Sequence, residues 1–168
     1  MGVISPTGLI YVAVVGPGRA SAGECRAAEQ VGRRIGEAGA VLVCGGLGGV
    51  MEAACRGGRA GGATTLGILP GTDRSAANDF VDVAVATGIG EARNALVVAT
   101  ADAVVAVGGE FGTLSEIALA LKAGRPVVGL ESWELQRRGT AVAGVRRATG
   151  PDEAAALALA LAVGGTAP

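Results

Sequence analysis

The sequence predicts one α/β domain built on a doubly wound parallel sheet of about six or seven strands. Three observations carry that prediction. Short apolar runs alternate with longer helical patterns along the whole chain. Most of the runs, among them "LIYVAVVG", "AVLVCGG" and "DAVVAVGG", are apolar throughout rather than alternating, as parallel strands covered on both faces are. Glycine clusters follow several of them, where a strand has to turn sharply into a helix. With 168 residues, the chain has room for a single domain around one core, here of the Rossmann-like kind.

Residues 9–16 read as the first strand, dense in β-branched residues and ended by "GPGR". A helix from 21 to about 38 follows: Ser21 and Glu24 make a capping-box pair, and Ala28, Val31, Ile35 and Ala38 recur at helical spacing. Residues 40–46 form a second strand, leading through a glycine-rich turn into a helix over "VMEAACRGG". A third strand, 64–71, is closed by Pro70 and Gly71, and strands over 82–88, 102–109 and 126–132 complete a set of about six. Helices are predicted near 90–100 and 113–123, the second with Leu114, Ile117, Ala118 and Leu121 as its apolar stripe. Residues 137–150 read as a loop or a short strand. From Pro151 a last helix is predicted, with Asp152 and Glu153 in its first turn, where negative charge suits the helix dipole. No repeat and no linker interrupts this order.

Composition removes several function classes. Net charge is −1 with no block of like charge, so the basic footprint of nucleic-acid binding is missing, and no nucleic-acid partner is expected. Phe80 and Phe111 are far apart and match no base-stacking motif. There are 3 cysteines (Cys25, Cys44, Cys55) without CxxC spacing, which argues against a disulfide framework. The absence of histidine argues against a Cys/His zinc site and removes a Ser-His-Asp triad; no metal site is predicted. No apolar run reaches the roughly 18 residues of a membrane span, and no leader-like segment opens the sequence, so a cytoplasmic protein with no membrane partner is expected. The stretch "EAAALALALAV" is apolar on nearly every face, which predicts self-association as a dimer or tetramer.

In an open parallel sheet, ligands bind beyond the carboxyl ends of the strands, where strand order reverses. Three of those ends are glycine-rich here: "GPGRAS" after the first strand, "CGGLGG" after the second and "GGEFGT" after the fifth. Glycine lets a ligand approach the backbone, and the following helix start offers free N–H groups and partial positive charge. The candidate ligand-binding residues are therefore Gly16, Gly18, Arg19 and Ser21, then Gly45, Gly46, Gly48 and Gly49, then Gly108, Gly109, Gly112 and Thr113. The ligand class is a small phosphorylated molecule. No Gly-Lys-Ser/Thr follows any of these loops, the full GxGxxG pattern is missed, and no acidic residue ends the second strand. A P-loop nucleotidase and an ordinary dinucleotide dehydrogenase are both disfavoured.

The motif order resembles the LONELY GUY and lysine-decarboxylase-like (SLOG) Rossmann superfamily. "CGGLGGVMEAA" is similar to the family's Gly-Gly-Gly-x-x-Gly-Leu-Met loop, with Cys44 at the first glycine and Glu52 where another glycine is usual. "GGEFGTLSE" resembles the Pro-Gly-Gly-x-Gly-Thr-x-x-Glu signature, and Arg93 in "GEARN" falls where the family's catalytic arginine sits. The resemblance implies Arg93 and Glu116 as catalytic residues acting on the N-glycosidic bond of a nucleoside 5′-monophosphate. Release of free base and ribose 5-phosphate would follow. Asn94 stands in place of a lysine, Gly108 in place of the signature proline, Glu110 in place of a glycine and Ser115 in place of an acid. Over residues 10–131 the sequence is more similar to a sister branch, the small single-domain proteins related to the molybdenum-cofactor carrier protein. That branch implies a homo-oligomeric binding protein for the pterin monophosphate of the molybdenum cofactor (molybdopterin), with no resident cofactor required. The more distant DNA-processing (DprA) type shares the core, but the neutral charge argues against it.

Two readings stay open at several positions. Thr113-Leu114-Ser115-Glu116 is also a T-x-x-E capping box, which would make Glu116 a helix cap worth about 1 kcal/mol. Arg93 is a site residue or a surface arginine, Asn94 reads a ligand edge or caps a helix, and Arg19 clamps phosphate or is solvated. Met51 reads as core, Cys44 as the one cysteine near the ligand, and Trp133 as the cover of an interface.

Overall fold

The computed structural model describes residues 8–164. In chain order the elements are β1 (Tyr11–Val15), α1 (Ala22–Glu37), β2 (Val41–Cys44), α2 (Val50–Ala60), β3 (Thr65–Leu69), β4 (Val83–Ala86), α3 (Asn94–Thr100) and β5 (Ala103–Val107). They continue with α4 (Phe111–Lys122), β6 (Val127–Leu130), β7 (Gln136–Arg137), β8 (Thr140–Ala141), β9 (Val145–Ala148) and α5 (Pro151–Gly164). Seven strands form one sheet in the order β4-β3-β2-β1-β5-β6-β9, every neighbouring pair parallel. The doubly wound α/β fold read from the sequence is the fold of the chain.

The alternation of Cβ directions splits each strand between two cores. Val12 and Val14 of β1 face one layer with Val31 and Ile35 of α1, Val50 and Ala54 of α2 and Ala155 of α5. Ala13 and Val15 face the other layer with Val97 and Val98 of α3 and Ile117 and Ala120 of α4. Helices α1 and α2 lie unusually close because glycines line their contact. A Cβ on Gly32 would strike the Ala54 carbonyl, and one on Gly57 would strike the Glu29 carbonyl. Two aspartates fix the strand starts: Asp102 Oδ2 accepts the Tyr11 N–H at 2.9 Å, and Asp82 Oδ2 accepts the Thr65 N–H at 2.9 Å.

Ser21 caps α1 as predicted: its Oγ accepts the Glu24 N–H at 3.2 Å while Glu24 Oε2 accepts the Ser21 N–H at 2.7 Å. Two local expectations are corrected and one is made definite. Residues 137–150 contain the short strand that is one of the two readings, β9, which makes the seventh parallel strand, and the hairpin of β7 and β8 stands before it. Arg138 and Gly139 both have positive φ there (53° and 79°), the geometry of a two-residue primed turn. The predicted helix from residue 90 begins as a 3-10 turn, Gly90–Arg93, before α3. Finally, α4 starts at Phe111 with Glu110 in the N-cap position, two residues before the predicted start. Its buried face is Thr113, Glu116, Ile117 and Ala120, while Ala118 of the predicted stripe is exposed.

No α-helix covers the link from β3 to β4, which contains only the 3-10 turn Arg74–Ala76. The edge strand β4 accordingly leaves Val83 and Val85 about half exposed, at 48% and 44%.

Candidate functional site

The chain runs outward from β1 through β2 and β3 to β4, then returns to lay β5 on the other side of β1. Connections leaving β1 and β5 therefore diverge to opposite faces of the sheet, α1 on one and α4 on the other, and open a crevice between them. All three glycine-rich loops meet at this edge. Val50 N–H donates to the Pro17 carbonyl at 3.1 Å, joining the first loop to the second. Gly16 is wedged between the Val107 carbonyl and the Val50 side chain, joining both to the end of β5.

The glycines of these loops fall into two groups. Gly16, Gly45, Gly46, Gly49, Gly108 and Gly109 are where a Cβ would collide with protein. Gly45 faces the Arg93 guanidinium, Gly108 the Glu24 carboxylate and Gly109 the Trp133 indole. The packing alone accounts for them. Gly18, Gly48 and Gly112 differ: a Cβ would meet nothing closer than 3.9 Å at Gly18 and 3.6 Å at Gly48, and nothing within 4 Å at Gly112. None of the three has a positive φ. Neither sterics nor backbone conformation requires glycine at these positions, and all three border the crevice.

Inside it stands a buried arginine. Arg93, the last residue of the 3-10 turn, is only 5% exposed, which removes the surface-arginine reading. Its Nε and Nη1 are buried and have no hydrogen-bond partner. The five ion pairs among the described residues lie elsewhere. A buried guanidinium without an acceptor is costly, and an arriving anion is the usual remedy.

Glu116 faces it from α4, 7% exposed. Burial pushes its carboxyl up to about 7, the nearby Arg93 charge partly opposes that rise, and Glu91 adds to it. Because α4 begins at Phe111, Thr113 is the third helical residue and not the cap, so the T-x-x-E capping box does not form. Glu116 is turned inward beside Thr113, whose Oγ1 is also buried and unpartnered. The first backbone bond of α4 runs from Leu114 N–H to the Glu110 carbonyl at 3.0 Å. This leaves the N–H groups of Phe111, Gly112 and Thr113 without partners in the helix. Glu110 itself is exposed and makes no capping bond.

Asn94, buried at 5% exposure, donates through Nδ2 to Ser115 Oγ at 3.3 Å, and Ser115 Oγ donates to the Gly112 carbonyl at 2.7 Å. It ties α3 to the first turn of α4 rather than capping a helix. Arg19 and Gly18 are exposed on the first loop. The Ser21 hydroxyl is committed to its cap. Cys44 sits below the crevice: its Sγ accepts the Gly46 N–H at 3.3 Å and lies 3.3 Å from Cys55 Sγ. The contact with Cys44, reinforced by burial, pushes the Cys55 thiol well above its ordinary range. Met51 is buried, as read, with its sulfur beside Gly45 and the Arg93 guanidinium.

Sequence reasoning missed the pairing of Phe111 with Trp133. Their ring centroids are 6.0 Å apart, and Trp133 Nε1–H donates to the Glu110 carbonyl at 3.2 Å. The available signal was scarcity, since aromatics make up 2% of the chain. A second concavity of about 390 Å³ lies behind Trp133, between the β7–β8 hairpin and the β6–β9 edge, and holds none of the predicted site residues.

A crevice at the switch point of a doubly wound parallel sheet is the construction of a Rossmann-type ligand-binding domain. The chain belongs to the SLOG cluster4 family, whose model matches residues 9–155. An uncharacterised protein of Archaeoglobus fulgidus is 45% identical over 123 residues, covering 73% of this chain and 81% of that one. Among solved structures, the molybdenum cofactor binding protein of the phototrophic bacterium Rippkaea orientalis matches with a TM-score of 0.82 at 35% identity, covering 91% of this chain and 97% of that one. The molybdenum cofactor carrier protein of Chlamydomonas reinhardtii matches with a TM-score of 0.81 at 34% identity, covering 93% and 99%. The branch indicated by the sequence motifs is therefore the right one. No helix among the described residues is long and apolar enough to cross a membrane.

Proposed function

We propose that this chain is a binding protein for a small phosphorylated, nucleotide-like molecule, with the pterin monophosphate of the molybdenum cofactor as its cargo. One observation carries the reading. Arg93 is buried at the crevice with two N–H donors unsatisfied, and the helix whose Glu116 stands near it begins with amides that also lack helix partners. A phosphate oxygen accepts from both kinds of donor, and a guanidinium offers it charge as well as geometry. The likeness to two molybdenum-cofactor proteins supports the choice of cargo. Gly18, Gly48 and Gly112 leave the space through which the ligand reaches the backbone.

In this reading the phosphate lies against Arg93 and the amides of Gly112 and Thr113, and Asn94 keeps α3 and α4 in register around it. Protonated Glu116 offers a hydrogen bond instead of a second negative charge. The test is calorimetry with a pterin phosphate and with nucleoside monophosphates at high micromolar concentration. Binding by the parent protein, lost in Arg93→Ala, supports the proposal; no binding of any phosphate compound rules it out.

A second reading draws on a specific observation. Glu116 titrates at about 7 beside Arg93, which suits a group that exchanges a proton at neutral pH. A nucleoside 5′-monophosphate hydrolase would use that carboxyl to stabilise the ribosyl cation or to activate water, with Arg93 orienting the phosphate or the sugar. Chromatography of a nucleoside monophosphate panel separates the readings. Free base released by the parent protein, and by neither Glu116→Gln nor Arg93→Ala, selects the enzyme; a panel recovered intact selects the binding protein.

A further inference from the structure

We infer that Phe111 and Trp133 form an aromatic platform for the heterocycle of the ligand, so that they set its specificity while Arg93 and the α4 amides hold its phosphate. This rests on the phosphate-ligand reading above. Phe111 is 81% exposed, the most exposed of the large apolar side chains described, and it stands at the first position of α4. Its own N–H is one of the three free donors at that helix start, so a phosphate bound there brings its attached sugar and ring system within one residue of the phenyl group.

The partner ring is held, not loose. Trp133, on the segment after β6, is half-buried and fixed by its Nε1–H bond to the Glu110 carbonyl at 3.2 Å. Its indole lies where a Cβ on Gly109 would come within 2.6 Å, so the glycine admits the ring. The two planes are tilted by 33° with centroids 6.0 Å apart, which leaves the phenyl face largely in solvent. Of the four aromatic residues in the chain (two Phe, one Tyr, one Trp), two meet at the helix start that carries the free amides, Phe111 from α4 itself and Trp133 from the segment after β6. An exposed aromatic anchored by a second one, next to a phosphate site, is the arrangement that planar ring systems stack on.

The experiment compares probes with and without a ring system: adenosine 5′-monophosphate and a pterin phosphate against ribose 5-phosphate, by calorimetry on the full chain. Phe111→Ala is an exposed substitution that leaves the core intact. Gly109→Ala keeps a permitted backbone but displaces the indole, because Gly109 has no positive φ. Loss of one stacking contact is worth about tenfold or more in affinity. Both variants are expected to bind the two ring-bearing probes at least about tenfold more weakly, and Phe111→Ala is expected to bind ribose 5-phosphate as the parent does. Trp133, the only tryptophan, should be quenched by the ring-bearing probes alone. Equal losses on all probes, or no loss on any, overturn the platform while leaving the phosphate reading intact. Dissociation of an oligomer by Phe111→Ala in sedimentation also overturns it, since the pair would then be a contact between copies. Failure of every probe to bind the parent protein overturns the phosphate reading and the platform together.

Discussion

Replacing Glu116 by glutamine should stabilise the protein, and by an amount that depends on pH. The carboxyl titrates at about 7 in the folded chain against an ordinary 4.5, because burial disfavours its charged form more than Arg93 favours it. At 1.36 kcal/mol per pH unit, that gap corresponds to about 3 kcal/mol. A raised folded value means the unfolded chain releases its proton first. Stability is therefore lost as pH rises from about 4.5 to about 7, and the whole penalty is present above that window. Glutamine keeps the shape and carries no charge at any pH. Glu116→Gln should match the parent near pH 4 and exceed it by about 3 kcal/mol at pH 8. For a domain of this size that is a rise of roughly 6–12 °C in melting temperature. Urea unfolding of both proteins at four pH values measures the difference directly. Titrations common to both cancel in it, and with 0 histidines no imidazole confuses the window. A difference that does not change with pH, or a glutamine variant that is the weaker at pH 8, would refute the argument that Glu116 is a buried, strained carboxyl.

Other outcomes follow from the same geometry. Binding of a phosphate compound should weaken as pH rises through 7 and draw a proton onto Glu116, because the anion raises the carboxyl further; calorimetry in two buffers of different ionisation enthalpy detects the uptake, and Glu116→Gln removes it. Arg93→Met should keep or raise the melting temperature while lowering phosphate affinity at least about tenfold, since it removes a buried charge with unsatisfied donors. Gly32→Ala should cost about 1–3 kcal/mol by forcing α1 off the Ala54 carbonyl, whereas Gly48→Ala should leave unfolding unchanged and impair ligand binding only. Of the free cysteines, partly exposed Cys25 should react with a thiol reagent in the native protein, and buried Cys44 and Cys55 only after unfolding.

What the sequence revealed, it revealed through patterns confined to short windows. The strands were legible because runs such as Ala103–Val107 are buried on both faces and so carry no polar residue. The start of α1 was legible because its cap is made of residues three apart. The start of α4 was not. Thr113 and Glu116 have capping spacing, yet both side chains are turned inward, Glu116 near Arg93, and that tertiary demand places the helix two residues earlier. The last strand, β9, hides its membership because Arg146 and Arg147 interrupt an apolar run, as an edge strand permits. In the site, the types and order of residues were visible, but not which glycines the packing already explains. That distinction depends on Glu24, Trp133 and Arg93 arriving from distant parts of the chain to occupy the space beside Gly108, Gly109 and Gly45.

The bond from Val50 N–H to the Pro17 carbonyl, with Gly16 wedged against Val107, has a kinetic consequence. Loops fastened to one another move as one body, so the wall formed by the α1 and α2 loops does not split as a ligand enters. For the proposed ligand, the contacts on that wall are in place before it arrives, so their contribution to the association rate follows the frequency of correctly oriented encounters. Residence time follows from how many donors the cargo has to leave at once. For a carrier, such a rim shifts control of delivery outward: the receiving protein, by competing for the phosphate or the ring, determines when the cargo departs.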